Sequence, residues 1–225
     1  METHAALAYH KALVQKMQPH GKQEAQHDKS ASQLLKIRRA MPKDAAGNLV
    51  VGEKEATATR AVIWLHGFGD SPEGWAMAWQ PLQGLTSWSW HHLCAPLLEQ
   101  PCYGNKKLRG WGQFHTQEVI HVGSTDYIDE DKGGSYAASV AMVLAEIEKL
   151  EKRMPSEQVL IGGFSQGAAI ALHCALQHSR PLAGCVAVSG WLTASARRIL
   201  SDGWKGSTSF LLCHGTADDM VGFDC

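Results

Sequence analysis

Ser165 sits in Val159-Leu160-Ile161-Gly162-Gly163-Phe164-Ser165-Gln166-Gly167-Ala168-Ala169, a G-x-S-x-G pentad between an apolar run and a helical pattern. The pentad alone occurs in unrelated chains; a strand before it and a helix after it give it meaning. Such a sharp turn holds the serine in a strained backbone conformation and lifts its hydroxyl above the sheet. Gly163 and Gly167 stand where a side chain would meet the crossing backbone. The helix opening at Gln166 aims its first amide groups at negative charge. The chemistry this favours is attack by a serine oxygen on a carbonyl carbon.

A serine hydroxyl needs a histidine to take its proton, a carboxylate to orient that histidine, and two amide donors for the oxyanion. One donor is expected from the backbone N–H of Gln166. The other is expected from Phe68, in the turn His66-Gly67-Phe68-Gly69 that follows a buried run. The carboxylate is expected from Asp218 in His214-Gly215-Thr216-Ala217-Asp218-Asp219, at the carboxyl edge of the sheet; Asp219 is its competitor and reads as a solvated neighbour. His66 and His214 both read as residues that shape their turns ahead of serving as the base.

Elements must carry these residues to one place. From Arg60 onward, short apolar runs alternate with helical patterns, the signature of βαβ units around a parallel sheet. Strands are expected at Ala61–Leu65, His92–Pro96, Gln158–Gly162, Gly184–Val188 and Ser209–Cys213. Helices are expected at Glu73–Leu82, Gly134–Met154 and Gln166–Gln177. In the second of these, Val140, Val143, Leu144, Ile147 and Leu150 share a face and Pro155 ends the pattern. Residues 97–132 read as loop, and Ala45–Thr59 as turn and hairpin material.

The chain has 225 residues, 44% hydrophobic and 19% charged, with a formal net charge of −1. That suits a single α/β domain with a real core, and near-neutral charge argues against nucleic acid as the main partner. No apolar run approaches the roughly 18 residues of a membrane span, and the N-terminus lacks a signal-peptide pattern. Six cysteines in no ligand spacing read as reduced residues of a cytosolic protein, with Cys174, Cys185 and Cys213 inside apolar runs. Residues 1–60 carry 10 basic and 6 acidic side chains, the remainder 11 and 16. A boundary is therefore expected near residue 58, between a basic extension (1–58), with a weak helical pattern at Leu7, Leu13, Val14 and Met17, and a catalytic domain (59–225).

Leu65-His66-Gly67-Phe68-Gly69-Asp70, Gly163-Phe164-Ser165-Gln166-Gly167, Ser189-Gly190-Trp191-Leu192 and His214-Gly215-Thr216-Ala217-Asp218 together resemble the acyl-protein thioesterase, carboxylesterase and lysophospholipase family of α/β-hydrolases, in the same order from Ala61 to Val221. The resemblance implies an α/β-hydrolase fold, with a mostly parallel sheet flanked by helices. It implies Ser165 as nucleophile, Asp218 as the acid, and Phe68 with Gln166 as oxyanion-hole donors. It also implies hydrolysis of S-acylated proteins or acyl-ester lipids, without cofactor or metal, and leaves room for transient membrane-surface contact. The family's tryptophan-phenylalanine-aspartate stretch is matched loosely by Trp111-Gly112-Gln113-Phe114-His115, where Trp111 could line an acyl groove or simply pack in the core. The family's histidine, a few tens of residues after the aspartate, has no counterpart before Cys225. The last strand and helix are expected to be missing with it, and a poor or incomplete enzyme follows. The readings stand in the order acyl-thioester hydrolase, small-ester carboxylesterase or lysophospholipase, and non-catalytic acyl-binding protein.

Overall fold

Ala61, Ile63 and Leu65 alternate with Val62 and Trp64, and all five are buried, so this strand is covered on both faces. The computed structural model describes residues 41, 43–79, 82 and 87–225. Two compact units divide between Met41 and Pro42. The pattern at Leu7 to Met17 lies outside the described residues.

Eight strands belong to the second unit. They are β1 (Leu49–Gly52), β2 (Arg60–Leu65), β3 (Trp88–Leu93), β4 (Leu97–Gln100), β5 (Lys106–Arg109), β6 (Val159–Phe164), β7 (Gly184–Val188) and β8 (Phe210–Cys213). Six form one sheet in the order β1-β3-β2-β6-β7-β8. Every neighbouring pair is parallel except β1 with β3. The helices are α1 (Pro72–Ala78), α2 (Thr125–Ile128), α3 (Ser135–Glu151), α4 (Gln166–Gln177) and α5 (Ala194–Ser201). Parallel strands joined through helices on both sides give the α/β-hydrolase layering.

One face of the sheet packs Ile63, Leu65, Val159, Ile161 and Cys185 against α4 and against Val140, Val143, Ile147 and Leu150 of α3. Eleven of the twelve residues of α4 are buried, because it packs against β2, β6, β7, α3 and α5. The other face carries an aromatic cluster. Trp64 meets Trp75 and Trp79 of the α1 segment at ring separations of 5.2 and 4.9 Å. A Cβ on Gly162 would stand 2.7 Å from the Trp64 ring, so the neighbouring strand gives way to the indole. Among the described residues no helix is long and apolar enough to cross a membrane.

Several expectations shift. The strand placed at His92–Pro96 lies earlier, at Trp88–Leu93, since its register runs from Arg60↔Trp88 to Leu65↔Leu93 and ends level with β2. Residues 97–132 are not loop throughout: β4 and β5 form a hairpin in which Leu98 faces Leu108, and α2 follows. Its turn uses left-handed Gly104 and Asn105, at φ 63° and 60°. Residues 49–52 join the sheet by pairing with β3, so the folded unit reaches back past residue 59. Cys174 and Cys185 are buried, but Cys213 is exposed, because β8 is the sheet's edge and leaves Leu211 and Leu212 57% and 67% exposed. All six cysteines are free thiols.

Candidate active site

The strands of the sheet end level. Register pairs Leu65 with Gly163, Phe164 with Val188, and Val188 with Cys213. The residues that follow β2, β6, β7 and β8 therefore emerge in one row at the carboxyl edge, where open α/β sheets place their sites.

Ser165 leaves β6 at φ 52° and ψ −121° and opens α4. A residue with a Cβ is disfavoured there, and such strain collects at functional sites. Two glycines hold the turn. A Cβ on Gly163 would lie 2.5 Å from the Gly167 carbonyl, and one on Gly167 would lie 2.3 Å from the Leu65 carbonyl oxygen. The Ser165 N–H donates to the Val188 carbonyl at 2.9 Å. The hydroxyl makes no capping bond. The first amides of α4 have no intrahelical acceptor, which leaves the Gln166 N–H available to a ligand.

The turn after β2 is built around His66. Its Nδ1–H donates to the Gly67 carbonyl at 2.7 Å, and its Nε2 accepts the Ala95 N–H at 3.1 Å. Burial holds the imidazole below its ordinary pKa and hence neutral. With both nitrogens occupied, His66 shapes the turn and has no lone pair for a serine proton. Gly69 N–H is anchored on the Arg109 carbonyl at 2.8 Å, at the root of the hairpin. The Phe68 ring packs between Tyr103 and Phe114, at 5.9 and 5.0 Å. Its N–H has no acceptor among the described residues.

A buried hydrogen-bond network joins the two turns. Gln166 Oε1 accepts the Trp111 N–H at 2.8 Å, and Nε2 donates to the Gly112 carbonyl at 3.0 Å and to the Tyr136 hydroxyl oxygen at 3.3 Å. The Trp111 indole N–H donates to the His66 carbonyl at 2.7 Å. The chain from Gln166 through Trp111 to His66 thus links Gln166 to the turn that carries Phe68. Trp111 is fully buried and spends its polar atom on this link. Gly112 is needed beside it, since a Cβ there would stand 2.3 Å from the Tyr136 ring.

Asp218 lies in the turn after β8, with its N–H on the Gly215 carbonyl at 3.1 Å. Its Oδ1 accepts the N–H groups of Met220 and Val221, each at 3.0 Å. Burial pulls this carboxyl upward, but those two amides, the Ser189 hydroxyl and His214 outweigh it and hold the pKa below the usual carboxylate value. His214 Nε2 stands 3.7 Å from Oδ2 but donates to the Val221 carbonyl at 2.8 Å. His214 therefore ties the turn together. Asp219 is exposed. Among the described residues no histidine hydrogen-bonds the Ser165 hydroxyl.

A second serine–histidine–carboxylate chain lies elsewhere. His91 Nε2 is 3.2 Å from Ser89 Oγ and its Nδ1 is 2.8 Å from Glu146 Oε1. Ser89 and His91 are completely enclosed, so no substrate reaches them. The trio fastens β3 to α3.

Sequence reasoning missed Ser189, Tyr136 and the side-chain role of Gln166. A serine directly after a buried strand, as at Ser165, was the available signal for Ser189. The partners of the Gln166 amide lie too far away in the chain to leave a local trace.

A family model described as phospholipase/carboxylesterase matches residues 46–225. The chain belongs to this family. Among curated proteins it is 28% identical to acyl-protein thioesterase 1 homolog 1 of Dictyostelium discoideum, over 77% of this chain and 75% of that one. It is 28% identical to acyl-protein thioesterase 1 of Neurospora crassa, over 75% and 70% of the two chains. Among solved structures, SOBER1 of Arabidopsis thaliana is 29% identical with a TM-score of 0.59, over 73% of this chain and 78% of that one. Zea mays acyl-protein thioesterase 2 is 26% identical with a TM-score of 0.53, over 78% of each. As a phospholipase/carboxylesterase family member with these relatives, the chain is a hydrolase of the esterase and thioesterase class.

Proposed function

We propose that the protein hydrolyses acyl thioesters, above all S-acyl groups on protein cysteines, with small carboxylic esters and lysophospholipids as lesser substrates. In this reading Ser165 is the nucleophile, Asp218 the orienting acid, and the N–H groups of Phe68 and Gln166 the oxyanion donors. The observation that carries it is the Ser165 turn: a left-handed serine wedged between two glycines that tolerate no Cβ, at the N-terminus of a buried helix.

Ser165 Oγ attacks the acyl carbon, its proton passes to a base, and the negative charge growing on the carbonyl oxygen is met by the two amides. The carbon–sulfur bond breaks, the thiol leaves with a proton, and water cleaves the acyl-serine to the free acid. Ser165 and Asp218 follow strands separated by one neighbour, about 10 Å of lateral spacing, a gap an imidazole and two side chains can fill. No described residue fills the base role. Acyl-protein substrates bring the protein transiently to membrane surfaces in the cytoplasm.

Fluorophosphonate labelling tests this reading. Ser165 becomes covalently modified and the Ser165→Ala variant does not, while a palmitoyl thioester is turned over faster than a short-chain ester. A chain that fails to label yet retains an S-palmitoylated peptide with its acyl group intact would be an acyl-binding protein instead.

A further inference from the structure

Two segments are sewn together beside Asp218. The Ile120 N–H donates to the Met220 carbonyl at 2.9 Å, and the Gly222 N–H donates to the Ile120 carbonyl at 2.6 Å. A parallel bridge pairs Ile120 with Val221, and both are buried in this seam. Their apolar neighbours are not. Val119, Val122, Ile128, Met220 and Phe223 are between 40% and 61% exposed, five of the eleven large hydrophobic residues that lie open among those described. Single exposed apolar side chains need no explanation, but a group of them gathered at a site marks an interaction surface. The charge of the same segments is one-sided. Residues 118–131 and 214–225 carry eight Asp and Glu and no Lys or Arg. Asp126, Asp131 and Asp218 spend their oxygens on backbone amides. Glu118, Glu130, Asp219 and Asp224 are exposed and have no basic partner among the described residues. Arg197 packs over the Tyr127 ring, and the Leu192 and Tyr127 carbonyls accept its N–H groups.

We propose that this surface docks a cationic, partly apolar polypeptide segment: the Lys- or Arg-bearing stretch that flanks the acylated cysteine of a protein substrate. Charge complementarity chooses the occupant. An anionic lipid surface attracts basic segments and is repelled by this one. A second copy related by a two-fold axis would set the same acidic patch against itself. A polypeptide with lysines or arginines between apolar residues satisfies both features, its side chains covering Val122 and Phe223 while its cations meet Asp219 and Asp224. The surface begins at Met220, whose N–H is held by Asp218 at 3.0 Å, so a docked segment runs alongside the acid. Its identity as a substrate's flank rests on the hydrolase reading above; its affinity for cationic polypeptide does not.

The test is binding to the full chain, read by fluorescence anisotropy. The probes are short dye-labelled peptides, unacylated, with a cysteine between leucines and with either lysines or glutamates at the remaining positions. The lysine peptide is expected to bind at least about tenfold more tightly than the glutamate peptide, and to weaken as added salt screens the acids. Phe223→Ser and Val122→Ser should each weaken it about tenfold, the worth of covering one apolar side chain. Asp219→Asn and Asp224→Asn should each weaken it about two- to fivefold, as exposed ion pairs do, and should flatten the salt dependence. Equal binding of the two peptides overturns the proposal, and so does lysine-peptide binding that none of the four variants changes. Sedimentation with phosphatidylserine vesicles, and of the protein alone, covers the other occupants. Vesicle binding or a dimer that Phe223→Ser abolishes would assign the surface to lipid or to a second copy and overturn the proposal. S-palmitoylated forms of both peptides separate this proposal from the hydrolase reading. A lysine peptide that docks with its acyl group left intact overturns the hydrolase reading and leaves the docking surface. Equal kcat/KM for the two peptides overturns the docking surface and leaves the hydrolase.

Discussion

Replacing Gln166 with alanine separates the backbone amide that is to serve the oxyanion from the side chain that places it. The substitution leaves the 166 N–H in the chain but strands the buried Trp111 N–H and leaves the Gly112 carbonyl with only its longer bond from Gln100 Nε2, at 3.3 Å. An unsatisfied buried group costs about 1–3 kcal/mol, so the variant should lose about that much. The bond to Tyr136 is longer, at 3.3 Å, and adds little. Against a typical domain stability of about 5–15 kcal/mol, the protein stays folded but far closer to its limit. Trp111 is then held only by its indole bond to the His66 carbonyl, and the turn bearing Phe68 loses its tie to α4. Removal of one oxyanion donor costs about 100- to 1,000-fold, so a displaced donor should slow labelling of Ser165 by about 10- to 100-fold. Urea denaturation gives the first quantity. Fluorophosphonate labelling at a temperature where the variant is fully folded gives the second, with Tyr136→Phe as a control that changes either by little. Stability within about 0.5 kcal/mol of the unsubstituted protein would refute the stranded-group accounting. The expected instability with an unchanged labelling rate would show that the network holds the fold and does not set the donors.

Two further outcomes follow from named contacts. Gly167→Ala should cost at least about 3 kcal/mol and abolish labelling, since its Cβ would stand 2.3 and 2.5 Å from the Leu65 and His66 carbonyl oxygens, backbone that cannot swing aside; a thermal melt matching the unsubstituted protein would contradict this. Burial, reinforced by His91 and His66, pushes the His92 imidazole from 6.5 down to about 4. The unfolded chain therefore takes up the proton first, and the stability present above pH 6.5 declines as pH falls toward 4, by about 3 kcal/mol in all. Urea midpoints across this range should show that decline, and His92→Gln should flatten it.

The elements read from sequence without error are those whose determinants are local. The extents of α4 and β7 match residue for residue, since an apolar run, a G-x-S-x-G turn and a helical period lie within a few positions of one another. The start of β3 was hidden because Ser89, His91 and His92 are polar residues buried inside a strand. What allows His91 and Ser89 there is the contact with Glu146, 55 positions past His91, which no local pattern contains. The β4–β5 hairpin escaped notice for a similar reason. Its strands have four residues each, and its turn depends on left-handed Gly104 and Asn105 in a stretch with no period. Cys213 lies in an apolar run yet is exposed, because whether a strand is central or an edge is decided by topology.

The candidate site divides along the same line. Ser165 and Asp218 are legible as candidates because each lies in the turn after a strand, and a parallel sheet with level registers brings strand ends together whatever the intervening sequence. The network that ties the Gln166 turn to the His66 turn was not legible, because the Gln166 amide finds Trp111 across 55 positions and only a folded chain presents that pair. This division has a physical cause. The proposed nucleophile and acid are carried by local turns, with Gly163 and Gly167 around Ser165 and Gly215 ahead of Asp218. Their alignment must withstand a developing charge without moving, so it is delegated to buried amides and an indole whose partners come from other layers. Two serines with positive φ, 52° and 48°, follow adjacent strands at this edge. The Ser165 hydroxyl makes no capping bond, and the Ser189 N–H is held by the Cys213 carbonyl at 2.8 Å.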